Sequence, residues 1–300
     1  MAPANVKEAV VERGCNVVGR LPYQLTRVGP FLTSRMPPLT HLLGPWVDSG
    51  NGKPQTRMAR RLSIVRELID QLPRTDFFEQ ILDPSLDDGL AVADGLAFQD
   101  RGFTVAPQYT FEVDCRHGVD SLWDGMHFKT RQHIRRAEDM FAVRAVDDAD
   151  TFIAAYSHNI EARGWVNRLE LKNFPALHQQ CRTRDCGRVF AAFDAGDSPV
   201  AMAFLVWSPS TMYFLLSTRG DDPMDKGSVN LLLWAAMKEA NRKGLLFDLD
   251  GVHTSGTARF LCGFGGHIKT RMVVRKGTAL FNLLRYGKLR LSRNETQYFT

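Results

Sequence analysis

Apolar residues recur along this chain with two spacings, and each spacing predicts a different kind of element. Over residues 57–72 they return every three or four positions, which is typical of an amphipathic helix that stops before Pro73. Residues 121–141 carry a similar apolar stripe and predict one further helix. The Pro- and Gly-rich residues 21–52 show neither spacing, and we expect loops there.

The second half of the chain alternates between the two patterns in a regular order. The predicted elements are a strand at 143–146, helices over 150–163 and 169–182, a hairpin of strands at 188–193 and 200–207, a strand at 211–217, a helix over 229–243 and a strand at 245–249. Gly244 stands where a helix of this kind usually ends. The predicted order is therefore strand, helix, helix, three antiparallel strands, helix, strand.

The last of these strands carries the strongest candidate chemistry. It ends in Phe247-Asp248-Leu249-Asp250-Gly251, and residues two apart on a strand project from the same side unless the strand has already ended. Carboxylates inside a strand need a cavity, a cation or a substrate amine. Acyl transfer to an amine requires a group that accepts the amine proton, for which Asp250 and His253 are the candidates beside Asp248. The alternative is that Asp250 only caps the following loop, since Asp-Gly is a common turn.

Basic residues flank the apolar stripe of the helix predicted over 121–141. Lys129 and Arg136 lie on one side of the stripe, and Arg131 and Arg135 lie on the other. Two interpretations remain open from the sequence alone: a solvated basic face, or a cationic wall that contacts phosphates.

A second candidate site precedes the helix predicted over 229–243. Arg219, Lys226, Gly227 and Ser228 lead into this helix, and Asn230 lies in its first turn. Unpaired N–H groups and the positive end of the helix dipole favour a phosphate at such a position. A plain capped helix would have the same residues, so both interpretations stay open.

The composition and charge of the chain are those of a folded globular protein. The chain has 300 residues, 44% of them hydrophobic and 24% charged, which indicates folded globular structure with room for two domains. Its net charge of +5 favours anionic partners. The first twenty residues do not resemble a signal peptide, and no apolar run is long enough to span a membrane, so we expect a cytoplasmic protein.

The five cysteines are scattered and odd in number, which indicates reduced thiols instead of a disulfide framework. His178, Cys181 and Cys186 are close enough in sequence to supply three metal ligands. A closed zinc site requires a fourth ligand, which the neighbouring sequence does not offer. We therefore expect no metal here, and a helix end with two incidental cysteines.

Two of these segments resemble the acyltransferases of the GNAT superfamily and, within them, the Fem-like aminoacyltransferase branch. Residues 129–138 are similar to the K-x-R-x-x-I-R-K-A pattern that opens the second domain of Fem-like proteins. Asp250 and Gly251, followed by Phe260 and residues 264–266, resemble the D-x-G and F-K-x-x-F-G-G patterns, but Leu261 replaces the expected Lys. The predicted element order is also that of a GNAT domain. The resemblance covers residues 21–276.

The resemblance implies an α/β (α+β) fold: two tandem GNAT-like units with mixed, mostly antiparallel sheets flanked by helices, the first unit degenerate. The domains it implies are an N-terminal extension at 1–20, a degenerate GNAT-like domain at 21–119, a GNAT-like catalytic domain at 120–276, and a basic C-terminal helix and tail at 277–300.

The activity that the resemblance implies is transfer of an acyl group from acyl-CoA to an amine of a small molecule or cell-envelope precursor. In GNAT proteins the fourth and fifth strands splay apart around the pantetheine arm, and the loop corresponding to 219–228 receives the pyrophosphate. The expected substrate-binding residues are Lys129, Arg131, Arg135, Arg259, Phe260 and Phe264. Arg259 compensates for the missing Lys only if it points inward from a strand.

Two alternatives to this activity remain open. The first is aminoacyl transfer from a charged tRNA, as in Fem-like proteins, with the basic helix contacting phosphates. The second is an inactive binding module that retains the fold.

The chain closes with a helix predicted over 280–291, which bears Arg285, Lys288 and Arg290. Two placements are open for it: peripheral contact with an anionic membrane, or packing on its own domain. No integral membrane segment is expected.

Overall fold

A computed structural model describes residues 6–164, 171–221, 225, 227–252 and 254–291, without the side chains of 286–291. In chain order its strands and helices are β1 Val6–Arg13, β2 Asn16–Gln24, β3 Thr26–Val28, β4 Phe31–Ser34, β5 Trp46–Val47, α1 Pro54–Asp70, β6 Phe77–Ile81, α2 Ala91–Asp100, β7 Thr104–Asp114, α3 Val119–Gly125, α4 Phe128–Glu138, β8 Ala142–Val146, α5 Ala149–Ala162, α6 Phe174–Thr183, β9 Gly187–Phe193, β10 Pro199–Trp207, β11 Thr211–Arg219, α7 Ser228–Lys243, β12 Leu246–Gly251, α8 Ser255–Cys262, β13 His267–Gly277 and α9 Ala279–Leu291.

The chain divides into two compact units. Unit 1 comprises residues 109–269, and unit 2 joins the residues up to 108 with those from 270 onward. The chain thus passes from one unit to the other within β7 and again within β13. These positions differ from the boundaries that the sequence suggested at 119/120 and 276/277, because each crossing strand contributes residues to both units.

The strands of unit 1 lie in the order β7-β12-β11-β10-β9-β8. All neighbours are antiparallel except β11 and β12, which are parallel. The element order from β8 to β12 is the predicted one. The predicted fold class, an α/β fold with mixed and mostly antiparallel sheets flanked by helices, is confirmed.

Local sequence accounts for the main elements of unit 1. Gly244 ends α7 in the left-handed conformation, with φ of 69°, as the sequence indicated. The turn between β9 and β10 is held by the Asp194 carboxylate, which accepts hydrogen bonds from the N–H groups of Gly196 and Ser198. One face of the sheet, with Phe247 and Leu249 among its residues, packs into the core that α4 and α7 cover.

The strands of unit 2 lie in the orders β1-β2-β5 and β3-β4-β6-β13. Helix α1 begins with Pro54 at its first position and contributes Val65 and Leu68 to the core. A buried ion pair joins α1 to α2: Arg61 donates two hydrogen bonds to the Asp94 carboxylate, at 2.7 and 2.8 Å.

The prediction of loops over residues 21–52 holds for 35–45 and 48–52 and is wrong for the remainder, where β2 continues to Gln24 and β3, β4 and β5 follow. The residues suggested as an N-terminal extension also have regular structure, since β1 pairs with β2 in a hairpin. Ala9 and Val11 of β1 and Val18 of β2 are buried in the core of unit 2. Strand pairing therefore gives order to a segment whose local composition favours turns: β3 pairs with β4 in a second hairpin, and β4 also pairs with β6.

The prediction of one helix over 121–141 is also wrong, because α3 ends at Gly125 and α4 starts at Phe128. Met126 is extended, and His127 caps α4 by accepting a hydrogen bond from the Lys129 N–H at 3.3 Å. The His127 N–H donates to the Gly263 carbonyl oxygen at 2.9 Å. This tertiary hydrogen bond satisfies a backbone group that a continuous helix would satisfy internally. The predicted apolar stripe survives, with Thr130, Ile134 and Ala137 of α4 buried.

Arg259 lies on helix α8, so its expected position on a strand is wrong. Thr254 begins this helix by accepting a hydrogen bond from the Thr257 N–H at 3.0 Å, which is the usual role of Thr at an N-cap. The predicted C-terminal helix is present as α9. Within the described residues, every helix is too short or too polar to cross a bilayer.

Candidate active site in unit 1

The carboxylate of Asp248 is buried and tied to the neighbouring strand. Asp248 is 3% exposed and accepts a hydrogen bond from the Asp250 N–H at 2.9 Å. The Thr110 hydroxyl of β7 lies within hydrogen-bonding distance of both this carboxylate and the Asp250 carbonyl oxygen. Asp248 therefore fixes the backbone of its own strand end.

Asp250 sits in a bulge and has a left-handed backbone, with φ of 68°. The pairing register between β12 and β7 shifts between Asp248 and Gly251. The simple alternation that would place Asp248 and Asp250 on the same side therefore breaks here. Bulges next to active sites commonly re-aim a side chain, and a left-handed non-glycine residue stores backbone strain. Asp250 is half-buried.

A second buried carboxylate, Glu112 of β7, lies directly opposite Asp248 in the antiparallel pairing. Glu112 is 6% exposed. The Lys269 ammonium lies 3.0 and 3.3 Å from its two oxygens, and His267 Nε2 lies 3.8 Å from Oε1. Opposed residues of an antiparallel pair share one face, so two carboxylates occupy adjacent positions on the face turned away from the α4 and α7 core. Sequence reasoning did not select Glu112, because its place beside Asp248 follows only from the register of β7 with β12.

Strands β11 and β12 pair only over their first residues. Thr211, Met212 and Tyr213 pair with Leu246, Phe247 and Asp248, and no later pair joins the strands, although β11 is described as far as Arg219. The divergence therefore begins beside Asp248. Tyr213 is paired with Asp248 in parallel register, which places both residues on the same sheet face. The sequence-based site did not include Tyr213.

The Phe264-Gly265-Gly266 segment packs tightly within unit 1. A Cβ on Gly265, whose φ is 76°, would lie 2.4 Å from the Gly125 carbonyl oxygen, and a Cβ on Gly266 would lie 2.3 Å from that of Glu112. Only glycine fits such close approaches. Phe264 is completely buried in the core, and Leu261, at the position of the Fem-like Lys, is 5% exposed. This motif holds the backbone beside the candidate site.

The predicted substrate-binding cations differ in what they contact. Lys129 is exposed at the start of α4. Arg131 lies 3.4 Å from the Asp124 carboxylate, and Arg135 stacks over Trp123 with 5.4 Å between the guanidinium and the ring centroid. Arg259 is exposed on α8. These cations are distributed over two helices, and Arg131 and Arg135 already have partners within the protein.

Phe260 lies on the same helix as Arg259 and is 38% exposed. Its ring packs edge-on against Phe264, with 5.4 Å between the centroids. Of these two aromatic residues, Phe260 is therefore exposed to solvent and Phe264 is buried.

The start of α7 already holds a carboxylate. Asp225 accepts hydrogen bonds from the N–H groups of Gly227, at 3.2 Å, and Ser228, at 2.9 Å, and from the Ser228 hydroxyl. Ser228 is fully buried, and a Cβ on Gly227 would lie 2.8 Å from the His133 carbonyl oxygen of α4. Asp225 thus takes the place at a helix N-terminus that suits an external anion.

The other predicted residues of this second site differ in their exposure. Arg219 is exposed, and its carbonyl oxygen accepts a hydrogen bond from Arg163 at 2.7 Å. Asn230 is half-buried in the first turn of α7. The predicted residues Lys226 and His253 lie outside the described residues.

His178 and Cys181, two of the three residues considered as metal ligands, are buried. Burial and the nearby Arg182 lower the pKa of His178, whereas burial and the adjacent Cys186 raise the pKa of the Cys181 thiol to about 12. Within the described part of the chain, no three His, Cys, Asp or Glu residues are grouped so as to hold a metal ion.

Comparison with protein-family models gives one match. The model of the acetyltransferase (GNAT) domain family matches residues 127–257. A search among curated proteins finds no match to this chain.

Solved structures match over nearly the whole chain. The structure of FemX superposes with a TM-score of 0.66 at 12% identity, covering 93% of this chain and 90% of FemX. L-PGS from Bacillus licheniformis gives a TM-score of 0.56 at 10% identity, covering 95% of this chain and 89% of that one. A tandem GNAT protein from the clavulanic acid biosynthesis pathway gives 0.52 at 15% identity, covering 92% and 84%.

These similarities concern the fold, since the identities are low, and acyltransferase folds recur among them. The element order of unit 1 and the divergence of β11 from β12 agree with the match to the GNAT domain family. The fold of the chain is therefore similar to that of FemX and of a tandem GNAT protein, and residues 127–257 match the acetyltransferase (GNAT) domain family.

Proposed function

We propose that unit 1 transfers an acyl group to an amine of a small molecule or cell-envelope precursor. The observation that carries this proposal is the carboxylate-bearing end of β12, where Asp250 lies on the bulge beside the buried Asp248, at the point where β11 and β12 diverge. An amine attacks an acyl carbon only when it is neutral, so a carboxylate that accepts its proton accelerates transfer. The divergence gives an acyl donor a place to lie beside that carboxylate.

The proposed roles follow from the contacts of each carboxylate. Asp248 holds the strand end through Thr110 and the Asp250 N–H, so its role is positioning. Asp250, half-buried on the bulge, is the proposed base. Glu112 is ion-paired with Lys269, so its proposed role is to hold β7 beside Asp248. His253, which the sequence suggests, remains a further candidate for proton transfer.

We propose an aminoacyl-tRNA as the donor. Asp225 occupies the N-terminus of α7, so the pyrophosphate of a CoA donor would have to displace a carboxylate that accepts three hydrogen bonds. The Fem-like fold and the exposed Lys129 at the start of α4 support a phosphate-rich donor on another surface of unit 1. Arg135 and Arg259 are further proposed contacts.

Acyl-CoA is the second candidate donor, and a specific observation favours it. The divergence of β11 from β12 after Tyr213 is the feature that admits the pantetheine arm in GNAT proteins. With CoA bound, the substrate contacts at Arg219, Lys226, Gly227, Ser228 and Asn230 would follow the GNAT pattern.

Two binding measurements on the full chain separate these donors. An aminoacyl-tRNA donor predicts retention of charged tRNA on a filter at low salt, with binding that weakens steeply as salt rises. Acetyl-CoA should then leave the melting temperature unchanged, whereas a CoA donor at a hundred times its Kd would stabilise the fold by about 2.7 kcal/mol.

The variant Asp225→Ala tests the reason for the choice. If Asp225 excludes CoA, this variant gains a thermal shift with acetyl-CoA that the wild type lacks. A thermal shift in the wild type would overturn the tRNA donor. Absence of binding to both donors, together with no acylated product by mass spectrometry, would favour the inactive binding module.

A further inference from the structure

Helix α9 is fixed to unit 2 by one of its faces. Phe281 is 6% exposed and stacks on Phe77 with 5.0 Å between ring centroids, while Phe31 contacts it edge-on at 5.3 Å. The Arg285 guanidinium lies 4.7 Å from the Phe77 centroid. The Asn282 side-chain amide donates to the Gly277 carbonyl oxygen at 3.1 Å. The first two turns of α9 are therefore held in place on the unit.

Another face of the same helix presents leucines to solvent. Leu280, Leu283 and Leu284 are 59%, 71% and 52% exposed. Their spacing of three and four residues places them in one stripe along the helix. Scattered exposed leucines need no explanation, but a contiguous apolar stripe on an anchored helix marks an interaction surface.

The sequence around this stripe is strongly basic. Residues 277–294, which include α9, contain Arg285, Lys288, Arg290 and Arg293 and no Asp or Glu. An apolar stripe within a cationic segment matches the boundary of an anionic bilayer, where leucines enter the acyl region and cations meet lipid headgroups. A nucleic acid would use the cations and leave the leucines in water.

We propose that α9 binds the surface of anionic lipid bilayers through Leu280, Leu283 and Leu284. This surface belongs to unit 2 and does not depend on the reaction proposed for unit 1. It would hold the protein at a membrane peripherally, without a segment that spans it.

Sedimentation of the full chain with vesicles tests the proposal. The wild type should sediment with phosphatidylcholine vesicles that contain phosphatidylglycerol, and much less with phosphatidylcholine alone. The variant Leu280→Asn/Leu283→Asn/Leu284→Asn should bind the anionic vesicles at least about tenfold more weakly, because three leucines no longer enter the bilayer. Added salt should also weaken wild-type binding.

A matched control uses the exposed apolar residues Val92 and Leu96 of α2, which belong to the same unit. The variant Val92→Asn/Leu96→Asn should bind vesicles like the wild type. Circular dichroism of all variants checks that the fold is intact. Failure of the wild type to sediment with anionic vesicles, or unchanged binding by the triple variant, would overturn the proposal. A wild-type dimer that the triple variant converts to monomer would instead assign the stripe to a second copy of the chain.

Discussion

Units 1 and 2 both bury charged groups, but they stabilise those charges in different ways. In unit 2 the Arg61 and Asp94 side chains are 0% and 5% exposed and form a bidentate ion pair. In unit 1 the like-charged Glu112 and Asp248 occupy paired positions on neighbouring strands, and Lys269 lies 3.0 Å from Glu112. Opposite charges that satisfy each other maintain structure, whereas like charges brought together need further partners or a ligand.

This difference shows where chemistry is to be expected. Burial raises the pKa of Asp94, with Arg61 acting in the opposite direction, and the pair is closed off inside unit 2. In unit 1, Asp248 and the strained Asp250 stand beside the divergence of two strands. We therefore assign the buried charge of unit 2 to stability and that of unit 1 to the proposed reaction.

The largest expected effect is on the chemistry of unit 1. Asp250→Asn should lower the rate of acyl transfer by about 10² to 10⁴, because the amide cannot accept the proton of the acceptor amine. Asn tolerates the left-handed backbone, so the fold should persist. Product formation measured by mass spectrometry, with the melting temperature as control, checks this. An unchanged rate would remove Asp250 from the role of base.

The next effect is on the stability of unit 2. Arg61→Met should destabilise the protein by about 3 to 5 kcal/mol, since Asp94 would remain buried without its cation. Urea denaturation measures the loss. Arg66→Met is the matched control: its ion pair with Asp100 is exposed, so the expected cost is below about 1 kcal/mol. Equal losses in the two variants would contradict a special role for burial.

A smaller effect should expose the strain at Asp250. Asp250→Gly should be more stable than Asp250→Ala by about 1 to 2 kcal/mol, because a left-handed backbone disfavours any Cβ and favours glycine. Both variants lack the carboxylate, so the comparison isolates the backbone. Thermal unfolding of the two proteins measures the difference, and an alanine variant as stable as the glycine variant would show that the bulge is relaxed.

The smallest effect concerns a half-buried carboxylate of unit 1, Asp114. The Arg116 guanidinium lowers the pKa of Asp114 from 3.8 to about 2. A carboxyl whose pKa falls on folding stabilises the protein above its unfolded pKa, and this stability is lost as pH falls through the folded value. Asp114→Asn should therefore cost less than about 1 kcal/mol at neutral pH. The difference from wild type should vanish between about pH 4 and pH 2 in urea titrations, whereas a constant difference would contradict this origin.

Sequence periodicity predicted much of unit 1. The hairpin of β9 and β10, the end of α7 at Gly244 and the strand through Asp248 are all present. Each depends on local alternation, helical spacing or a turn residue, which the sequence carries directly. The element order followed from these pieces.

The remainder depends on contacts between residues far apart in the chain. The break between α3 and α4 is accompanied by a hydrogen bond from His127 to Gly263, and the strands of residues 21–52 depend on their pairing. Glu112 became a site residue only through its register with Asp248. The sequence also did not show that Asp225 caps α7, because the residues that precede this helix suit a phosphate site equally well.

The pairing of β6 with β13 has a consequence for the order of folding. Ile81 pairs with Val273, so the sheet of unit 2 joins residues that precede unit 1 in the chain to residues that follow it. During synthesis from the N-terminus, all residues of unit 1 leave the ribosome before β13 is complete. We expect unit 1 to fold first and unit 2 to fold last, because β6 cannot form its pairing with β13 until β13 has been synthesised.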